Sequence, residues 1–249
     1  MKKYSLLLSG GVDNHANRIC YHNDLAFAYE VLHGKMGYQK EDIFVLYSDG
    51  RNLKYKNTVI QSKRASKQNI IKILTDTNFK QDDSLFILVS NHGSNQENGS
   101  ICLWGEGEYI QLKEIVDMLN KVCCKKIIVL GQCFGGNILK YELENSCVIT
   151  ANEAGMETFT QLFRKGEQPS YDEFLYHFIS YFNGSYPNGL PLSTKIVENN
   201  IFLAYQYAWE NDIFNCKSKK YDNRMSQITS ASEIPQFKNT MVQSGVISI

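Results

Sequence analysis

A cysteine and a histidine each follow a run of apolar residues, at the point where a buried strand would end. In KKIIVLGQCFGGN the apolar run stops at Leu130, and Cys133 comes three residues later with glycines nearby. In SLFILVSNHGS the run stops at Val89, and His92 also comes three residues later. Ligands of open α/β sheets bind at the carboxyl ends of the strands. If these two strands are neighbours, the thiol and the imidazole lie at the same edge of the sheet.

A thiol beside an imidazole is suited to acyl transfer. The thiolate is the nucleophile, and the imidazole can take the thiol proton and later protonate the leaving amine. Gly93 follows the histidine, and its backbone N–H can approach a reacting carbonyl because glycine has no side chain. We therefore predict that His92 and Cys133 are a catalytic pair. The N–H groups of Gly93 and Cys133 would form the oxyanion hole.

Each half of this pattern also has a purely structural explanation. A cysteine near a strand end is more often a small buried hydrophobe than a nucleophile. The other cysteines and histidines have no partner pattern and are interpreted as packing or surface residues: Cys20, Cys102, Cys123, Cys124, Cys147, Cys216, His15, His22, His33 and His177. The two strand ends together favour the catalytic interpretation, because the pair is much less expected by chance than either half.

Alternating strands and helices must position these residues. Short apolar runs predict strands at Tyr4–Ser9, Ile43–Tyr47, Ser84–Val89, Lys126–Leu130 and Cys147–Thr150. Helical spacing predicts helices at His22–Met36, after Ser66 as N-cap, and at Leu112–Val122, Asn137–Glu144, Tyr171–Phe182 and Ser193–Phe214. The segment NGSICLWGEGEYIQL is typical of a hairpin, residues 50–65 of a loop, and VQSGVISI of a weak last strand.

This order predicts the α/β class: a three-layer sandwich with a mostly parallel central sheet of about six strands and helices on both faces. We expect a single domain over residues 1–249, with a core at roughly 3–182 and a C-terminal helix and tail at 193–249.

The composition argues against several classes of function. Lys+Arg and Asp+Glu both total 26, so the formal net charge is zero and we expect no nucleic-acid partner. No stretch reaches the ~18 apolar residues of a membrane span, and the apolar LLL near the start is too short for a signal peptide. Seven cysteines without such a signal predict reduced thiols and a cytoplasmic location. We expect no metal site, because no CxxC pair or close Cys/His cluster is present.

These motifs resemble those of the caspase-fold cysteine peptidases, which include caspases, metacaspases, gingipains, clostripain and legumain. GQCFGG is similar to the caspase signature QAC[RQG]G, whose histidine lies about 50 residues upstream; His92 lies 41 residues before Cys133. Legumain and the catalytic subunit of glycosylphosphatidylinositol transamidase look closer, since NDLAFAYEVL, LYSDG and TANEA are similar to their first helix, second strand end and fifth strand end. The resemblance covers roughly Lys3 to Phe182.

The resemblance implies a role for each matching residue of the catalytic centre. Cys133 matches the nucleophile, His92 the general base and Gly93 the oxyanion glycine. In that family an asparagine ahead of the pocket arginine orients the histidine, and both Asn14 and Asn17 are candidates for this role.

A second set of residues would contact the substrate. Arg18 lies near the position of the family's pocket arginine, with a spacing that differs by about two residues, and Asp49 follows the second strand. Phe134 stands where legumain has an acidic residue directly after the nucleophile, so strict asparagine specificity is not implied. Glu153 and Glu157 either line the pocket and favour a basic P1 residue or are ordinary loop carboxylates.

We therefore predict a cysteine endopeptidase that hydrolyses a protein or peptide substrate through a Cys133 thioester, without a cofactor, as a regulated effector protease. A transamidase that resolves the same thioester with an amine is one alternative. A caspase-fold peptide-binding module without catalysis is another. Relatives are activated by self-cleavage, calcium or a partner, and the sequence specifies neither the activation route, the P1 preference nor the oligomeric state.

Overall fold

The computed structural model describes residues 1–161, 170–193, 199–215 and 233–241. In chain order the strands are β1 (Lys3–Ser9), β2 (Ile43–Tyr47), β3 (Leu53–Tyr55), β4 (Thr58–Ile60), β5 (Ser84–Val89), β6 (Gly93–Ser94), β7 (Ser100–Cys102), β8 (Tyr109–Gln111), β9 (Lys125–Leu130), β10 (Ser146–Thr150) and β11 (Gln236–Asn239). The helices are α1 (Ile19–Gly34), α2 (Lys67–Asp76), α3 (Leu112–Leu119), α4 (Glu173–Asn183) and α5 (Ile201–Asn211), with 3₁₀ turns at Lys40–Asp42, Gln96–Asn98 and Gly135–Lys140.

The central sheet has six strands in the order β11-β10-β9-β5-β1-β2. Its first five strands in sequence are parallel to their neighbours, and β11 pairs antiparallel with β10. The hairpin β3–β4 and the three-stranded sheet β6-β7-β8 lie outside it. The expected mostly parallel central sheet of about six strands is thus confirmed.

Helices cover both faces of the sheet, which gives two separate hydrophobic cores. One core packs α1, α4 and α5 against inward residues such as Leu7, Phe86 and Ile127. The other packs α2 and α3 against the residues that alternate with them, such as Leu6 and Ile87. Because strand side chains alternate between faces and both faces are buried, the central strands read as continuous apolar runs.

Several predicted boundaries change in the structure. The segment 50–65 contains the hairpin β3–β4, whose three-residue strands are too short to show a period. The helix predicted from Asn137 is a 3₁₀ turn at Gly135–Lys140. Ser66 does cap α2, where its hydroxyl accepts the N–H of Asn69 at 3.3 Å.

The C-terminal predictions fit less well. The helix predicted from Ser193 begins at Ile201, because the Asn200 side chain caps it by accepting two backbone N–H groups. VQSGVISI and Cys216 lie outside the described residues, and the sixth strand is instead Gln236–Asn239. No helix in the described part of the chain is long and apolar enough to cross a bilayer.

Candidate active site

The register of the central sheet brings the strand ends that lead to His92 and Cys133 to the same level. Strands β5 and β9 are parallel neighbours, with Val89 opposite Leu130 at their carboxyl ends. The N–H of Gly131 donates to the carbonyl of Val89 at 2.9 Å, which carries the pairing one residue further. Both segments then leave the sheet, and His92 and Cys133 each lie three residues past the end of their strand.

Gly93 packs directly against the backbone of Cys133. A Cβ added at Gly93 would lie 3.0 Å from the carbonyl carbon of Cys133 and would overlap its carbonyl oxygen. The residue must therefore be glycine for the two strand-end loops to approach this closely. The sequence predicted a close approach by Gly93, and the structure identifies the group it approaches as the peptide backbone of Cys133.

The N–H groups of Gly93 and Cys133 have no hydrogen-bond acceptor among the residues that the structure describes. The N–H of Cys102 donates to the carbonyl oxygen of His92 at 3.1 Å, so these two residues are a hydrogen-bonded pair that extends the β6–β7 ladder. Gly93 and Ile101 are then the adjacent non-bonded pair, and the Gly93 N–H points away from β7. The Cys133 N–H makes no hydrogen bond within the described residues. Two such N–H groups beside a thiol can together donate hydrogen bonds to an oxyanion.

Thr158 holds the thiol of Cys133. Its backbone N–H donates to Sγ at 3.3 Å, and its carbonyl and hydroxyl oxygens lie 3.7 Å from Sγ. The hydroxyl in turn donates to the carbonyl of Gly131 at 2.8 Å. The sequence analysis did not identify Thr158, because it lies 25 residues from Cys133 in a loop without a motif.

The ring of His92 is oriented by a backbone carbonyl. Nε2 lies 2.9 Å from the carbonyl oxygen of Ala16, and the Tyr21 ring packs edge-on at 5.2 Å between centroids. A carbonyl only accepts hydrogen bonds, so Nε2 carries the hydrogen and the neutral ring keeps its lone pair on Nδ1. This is the tautomer in which Nδ1 can act as a base.

The prediction that Asn14 or Asn17 orients the histidine is wrong. The Asn17 amide donates to the Tyr47 hydroxyl at 3.0 Å, and the Asn14 side-chain oxygen accepts from Arg51 at 2.6 Å. The residue between them in the same turn supplies a main-chain carbonyl instead. Any residue type has that group, so no side-chain pattern could have indicated it.

The electrostatic surroundings of His92 favour the neutral ring. Burial is the largest cause that lowers its pKa, and the positive charge of Arg18 lowers it further. The hydrogen bond to Ala16 and the negative charge of Asp13 act in the opposite direction. Arg18 is exposed at the N-cap of α1, so it acts on His92 through charge.

Arg18→Gln is expected to raise the pKa of His92, because it removes a nearby positive charge that disfavours the imidazolium. The acid limb of the pH profile for alkylation of Cys133 should move to higher pH by roughly a few tenths of a unit at low salt. At high salt the shift should disappear, since exposed charges are screened. A shift to lower pH, or one that salt does not change, would contradict this role of Arg18.

The other predicted substrate-binding residues divide into two groups. The loop after β10 packs on the loop of Cys133: Phe134 donates its N–H to the carbonyl of Met156 at 2.7 Å. A Cβ added at Gly136 would lie 2.6 Å from the backbone N of Ala154, so the two loops touch. Half-exposed Glu153 and exposed Glu157 therefore lie on the rim beside Cys133.

Asp49 does not join this rim. It follows β2, which lies three strand positions from β9 and so roughly 14 Å away at ~4.8 Å per strand. Both of its carboxylate oxygens bond the Arg51 guanidinium, at 2.8 Å and 2.9 Å. The structure thus separates Asp49 from Cys133.

An isolated antiparallel bridge between Thr160 and Asp172 lies next to Thr158. Gln161 donates its N–H to the carbonyl of Tyr171 at 3.0 Å, and Glu173 donates to the carbonyl of Phe159 at 3.2 Å. Thr160 faces Asp172 between these two bonds, so its own N–H and C=O point to the opposite side. Neither group has a partner in the described part of the chain. Such an edge can pair with an extended peptide.

The described residues contain no group of three or more side chains arranged to hold a metal ion.

Comparison with known proteins agrees with the fold described above. The fold is similar to that of the Drosophila initiator caspase Dronc, with a TM-score of 0.57 and 10% sequence identity over 95% of this chain and 78% of that one. It is also similar to caspase-1 from Spodoptera frugiperda, with a TM-score of 0.59 and 11% identity over 97% of this chain and 87% of that one. No curated protein matches the chain in sequence. Residues 2–185 match the model of the peptidase C13 family, so the chain belongs to that family.

Proposed function

We propose that this protein is a cysteine endopeptidase in which Cys133 is the nucleophile and His92 the general base. The family, which includes cysteine peptidases, supports the reaction class. The observation that supports the assignment of residues is the shared register of β5 and β9, whose level ends lead to His92 and Cys133. The N–H groups of Gly93 and Cys133, which have no acceptor among the described residues, support it further.

In the proposed reaction a peptide lies extended along the edge at Thr160. Nδ1 of His92 takes the thiol proton, and Sγ of Cys133 attacks the carbonyl carbon. The negative charge on the carbonyl oxygen is stabilised by the N–H groups of Gly93 and Cys133. The imidazolium then protonates the leaving amine, the C–N bond breaks, and a thioester remains. Water, activated by the same imidazole, hydrolyses the thioester and releases the thiol.

The rim residues would select the side chain at P1. Glu153 and Glu157 carry negative charge on the side of the loop after β10, whereas Arg18 carries positive charge on the side of His92. Phe134, held with φ 61° in the left-handed region, adds an apolar surface directly after the nucleophile. We propose that the glutamates favour a basic P1 residue and that the enzyme acts as a regulated effector on few proteins.

The test is mass-spectrometric mapping of a peptidyl electrophile with mixed P1 residues on wild type, His92→Ala and His33→Ala. We expect labelling of Cys133 alone in wild type, a loss of at least ~100-fold in His92→Ala, and no change in His33→Ala. His33 is a matched control, because its ring also bonds a backbone carbonyl, that of Tyr38 at 2.9 Å, at the far end of α1. The preferred P1 residue among the probes tests the role of the glutamates.

The other thiols provide an internal control. Burial raises the pKa of Cys124 and of Cys147 to about 12, so these thiols should stay unlabelled in the native protein. Labelling spread evenly over the cysteines would contradict the proposal and favour a peptide-binding module of the same fold.

The transamidase alternative uses the same residues up to the thioester. It differs only in the acceptor, which is an amine rather than water. Incubation of a cleaved peptide with a second peptide bearing a free amino group separates the two, since only a transamidase yields the joined product as the main species.

A further inference from the structure

Asp13 organises the turn between β1 and α1. Its Oδ1 accepts the backbone N–H of His15 and that of Ala16, both at 2.8 Å. Its own carbonyl accepts the N–H of Asn17 at 2.9 Å. One aspartate therefore fixes three successive peptide groups of an exposed turn.

The same turn carries the carbonyl that orients His92. Ala16 is bonded on both of its peptide groups, with its N–H on the Asp13 carboxylate at 2.8 Å and its carbonyl on Nε2 of His92 at 2.9 Å. The direction of that carbonyl decides which ring nitrogen holds the hydrogen. A rotation of the Ala16–Asn17 peptide would remove the acceptor and allow the other tautomer.

The charge of Asp13 also acts on the ring. The two backbone bonds lower the pKa of the Asp13 carboxyl, so it stays ionised at neutral pH. Its negative charge favours the imidazolium form of His92, opposite to the effect of Arg18. Asp13 thus has a geometric link to the histidine through Ala16 and an electrostatic one through space.

We propose that Asp13 is a positioning residue: its carboxylate holds the turn so that the Ala16 carbonyl keeps His92 in the Nε2-protonated tautomer, with Nδ1 available to take the thiol proton. The catalytic part of this statement rests on the proposed function. The structural part, the dependence of the His92 tautomer on Asp13, does not.

The experiment compares Asp13→Ala and Asp13→Asn with wild type. Alanine removes both bonds to the turn, whereas the side-chain oxygen of asparagine can accept the same two N–H groups without the charge. The ring tautomer is read by NMR with ¹⁵N-labelled histidine, and the signals of His92 are identified by their absence in His92→Gln. The rate of alkylation of Cys133 by a peptidyl electrophile is measured against pH on the same samples.

We expect Asp13→Ala to lose the single Nε2-protonated tautomer and to slow alkylation roughly 10-fold near pH 7. Asp13→Asn should keep the tautomer and a rate within about 3-fold of wild type, with its acid limb moved to lower pH because the loss of negative charge lowers the pKa of His92. That shift is opposite in sign to the one expected for Arg18→Gln.

Asn200→Ala is the matched control. Asn200 also accepts two backbone N–H groups, those of the residues two and three positions later, but it caps α5 and has no contact with His92. It should leave the tautomer and the rate unchanged even if the protein melts at a lower temperature.

A wild-type tautomer and rate in Asp13→Ala would overturn the proposal, and so would an equal loss in Asn200→Ala. If Cys133 of wild type resists the electrophile while the His92 tautomer still depends on Asp13, the proposed peptidase function fails and the structural role stands.

Discussion

Gly93→Ala is expected to reduce alkylation and peptide cleavage at Cys133 by at least ~100-fold, because the added methyl group overlaps the peptide backbone of Cys133. The Gln132 side chain could move aside, but the overlapping carbonyl oxygen and carbon of Cys133 belong to the main chain, so no side-chain rotation can relieve that overlap. The strand-end loops must separate, which moves both N–H groups away from the reacting carbonyl. Overpacking of this kind also costs about 1–3 kcal/mol of unfolding free energy.

Gly34→Ala is the control for this substitution. Gly34 ends α1, and a Cβ there would meet only a side-chain oxygen of Glu30 at 3.8 Å. We expect Gly34→Ala to keep full reactivity and to be neutral or slightly stabilising. We compare the two variants with wild type by the rate at which Cys133 is labelled and by the unfolding free energy in urea. A Gly93→Ala protein that reacts like wild type would refute the close packing of the two loops.

The unfolding free energy is expected to fall as the pH rises from about 5 to about 8, because Asp24 and Asp172 are two buried carboxyl groups that interact electrostatically. Asp24, in α1, is fully buried; its Oδ2 accepts the Ser90 hydroxyl at 2.5 Å, and its oxygens lie 3.2 Å and 3.3 Å from the N–H of Asp172. Burial raises the pKa of Asp24 to about 8, and burial with the charge of Asp24 raises that of Asp172.

The direction of this pH dependence of the unfolding free energy follows from the number of protons that each state binds. An unfolded aspartate ionises near pH 3.8, whereas the native state keeps Asp24 protonated to about pH 8. The native state therefore binds more protons between these values, and its stability is greatest at the acidic end and declines as the pH rises. Each such group contributes up to about 1.4 kcal/mol per pH unit.

Asp24→Asn should flatten this dependence. Asparagine keeps an oxygen for the Ser90 hydroxyl and cannot ionise, so the variant should lose less stability than wild type between pH 5 and pH 8. Urea unfolding at pH 5, 6.5 and 8 measures the unfolding free energy of each protein. Asp117→Asn is the control, since Asp117 is an exposed partner of Lys113. The prediction is wrong if the unfolding free energy of wild type rises with pH over this window, or if Asp24→Asn shows the same decrease with pH as wild type.

The strands, and the positions of His92 and Cys133 just past two strand ends, could be predicted from the sequence because their signals are local. A strand buried on both faces is a run of apolar residues, and each run ends where the chain leaves the sheet. His92 and Cys133 stand at equal distances past two such runs. The structure pairs these two strands in parallel, with Val89 opposite Leu130, so the two strands end at the same level.

The groups that orient these two residues could not be predicted, because they are distant in sequence or belong to the main chain. Ala16 lies 76 residues from His92 and contributes only a carbonyl, and Thr158 lies 25 residues past Cys133 and contributes an N–H. Asp24 and Asp172 are 148 residues apart. Asp49 shows the limit of the strand-end argument, since strand order, which the sequence does not specify, places it three strand positions from β9.

The sequence by itself determined the class of fold, the strand ends and the residue types with nucleophilic and basic chemistry, because hydrophobic burial and side-chain reactivity are properties of short segments. The tertiary structure decided which strands are neighbours, which ring nitrogen of His92 holds the hydrogen, and why position 93 must be glycine. Those depend on contacts between main-chain atoms, which every residue type carries and which only the folded chain brings together.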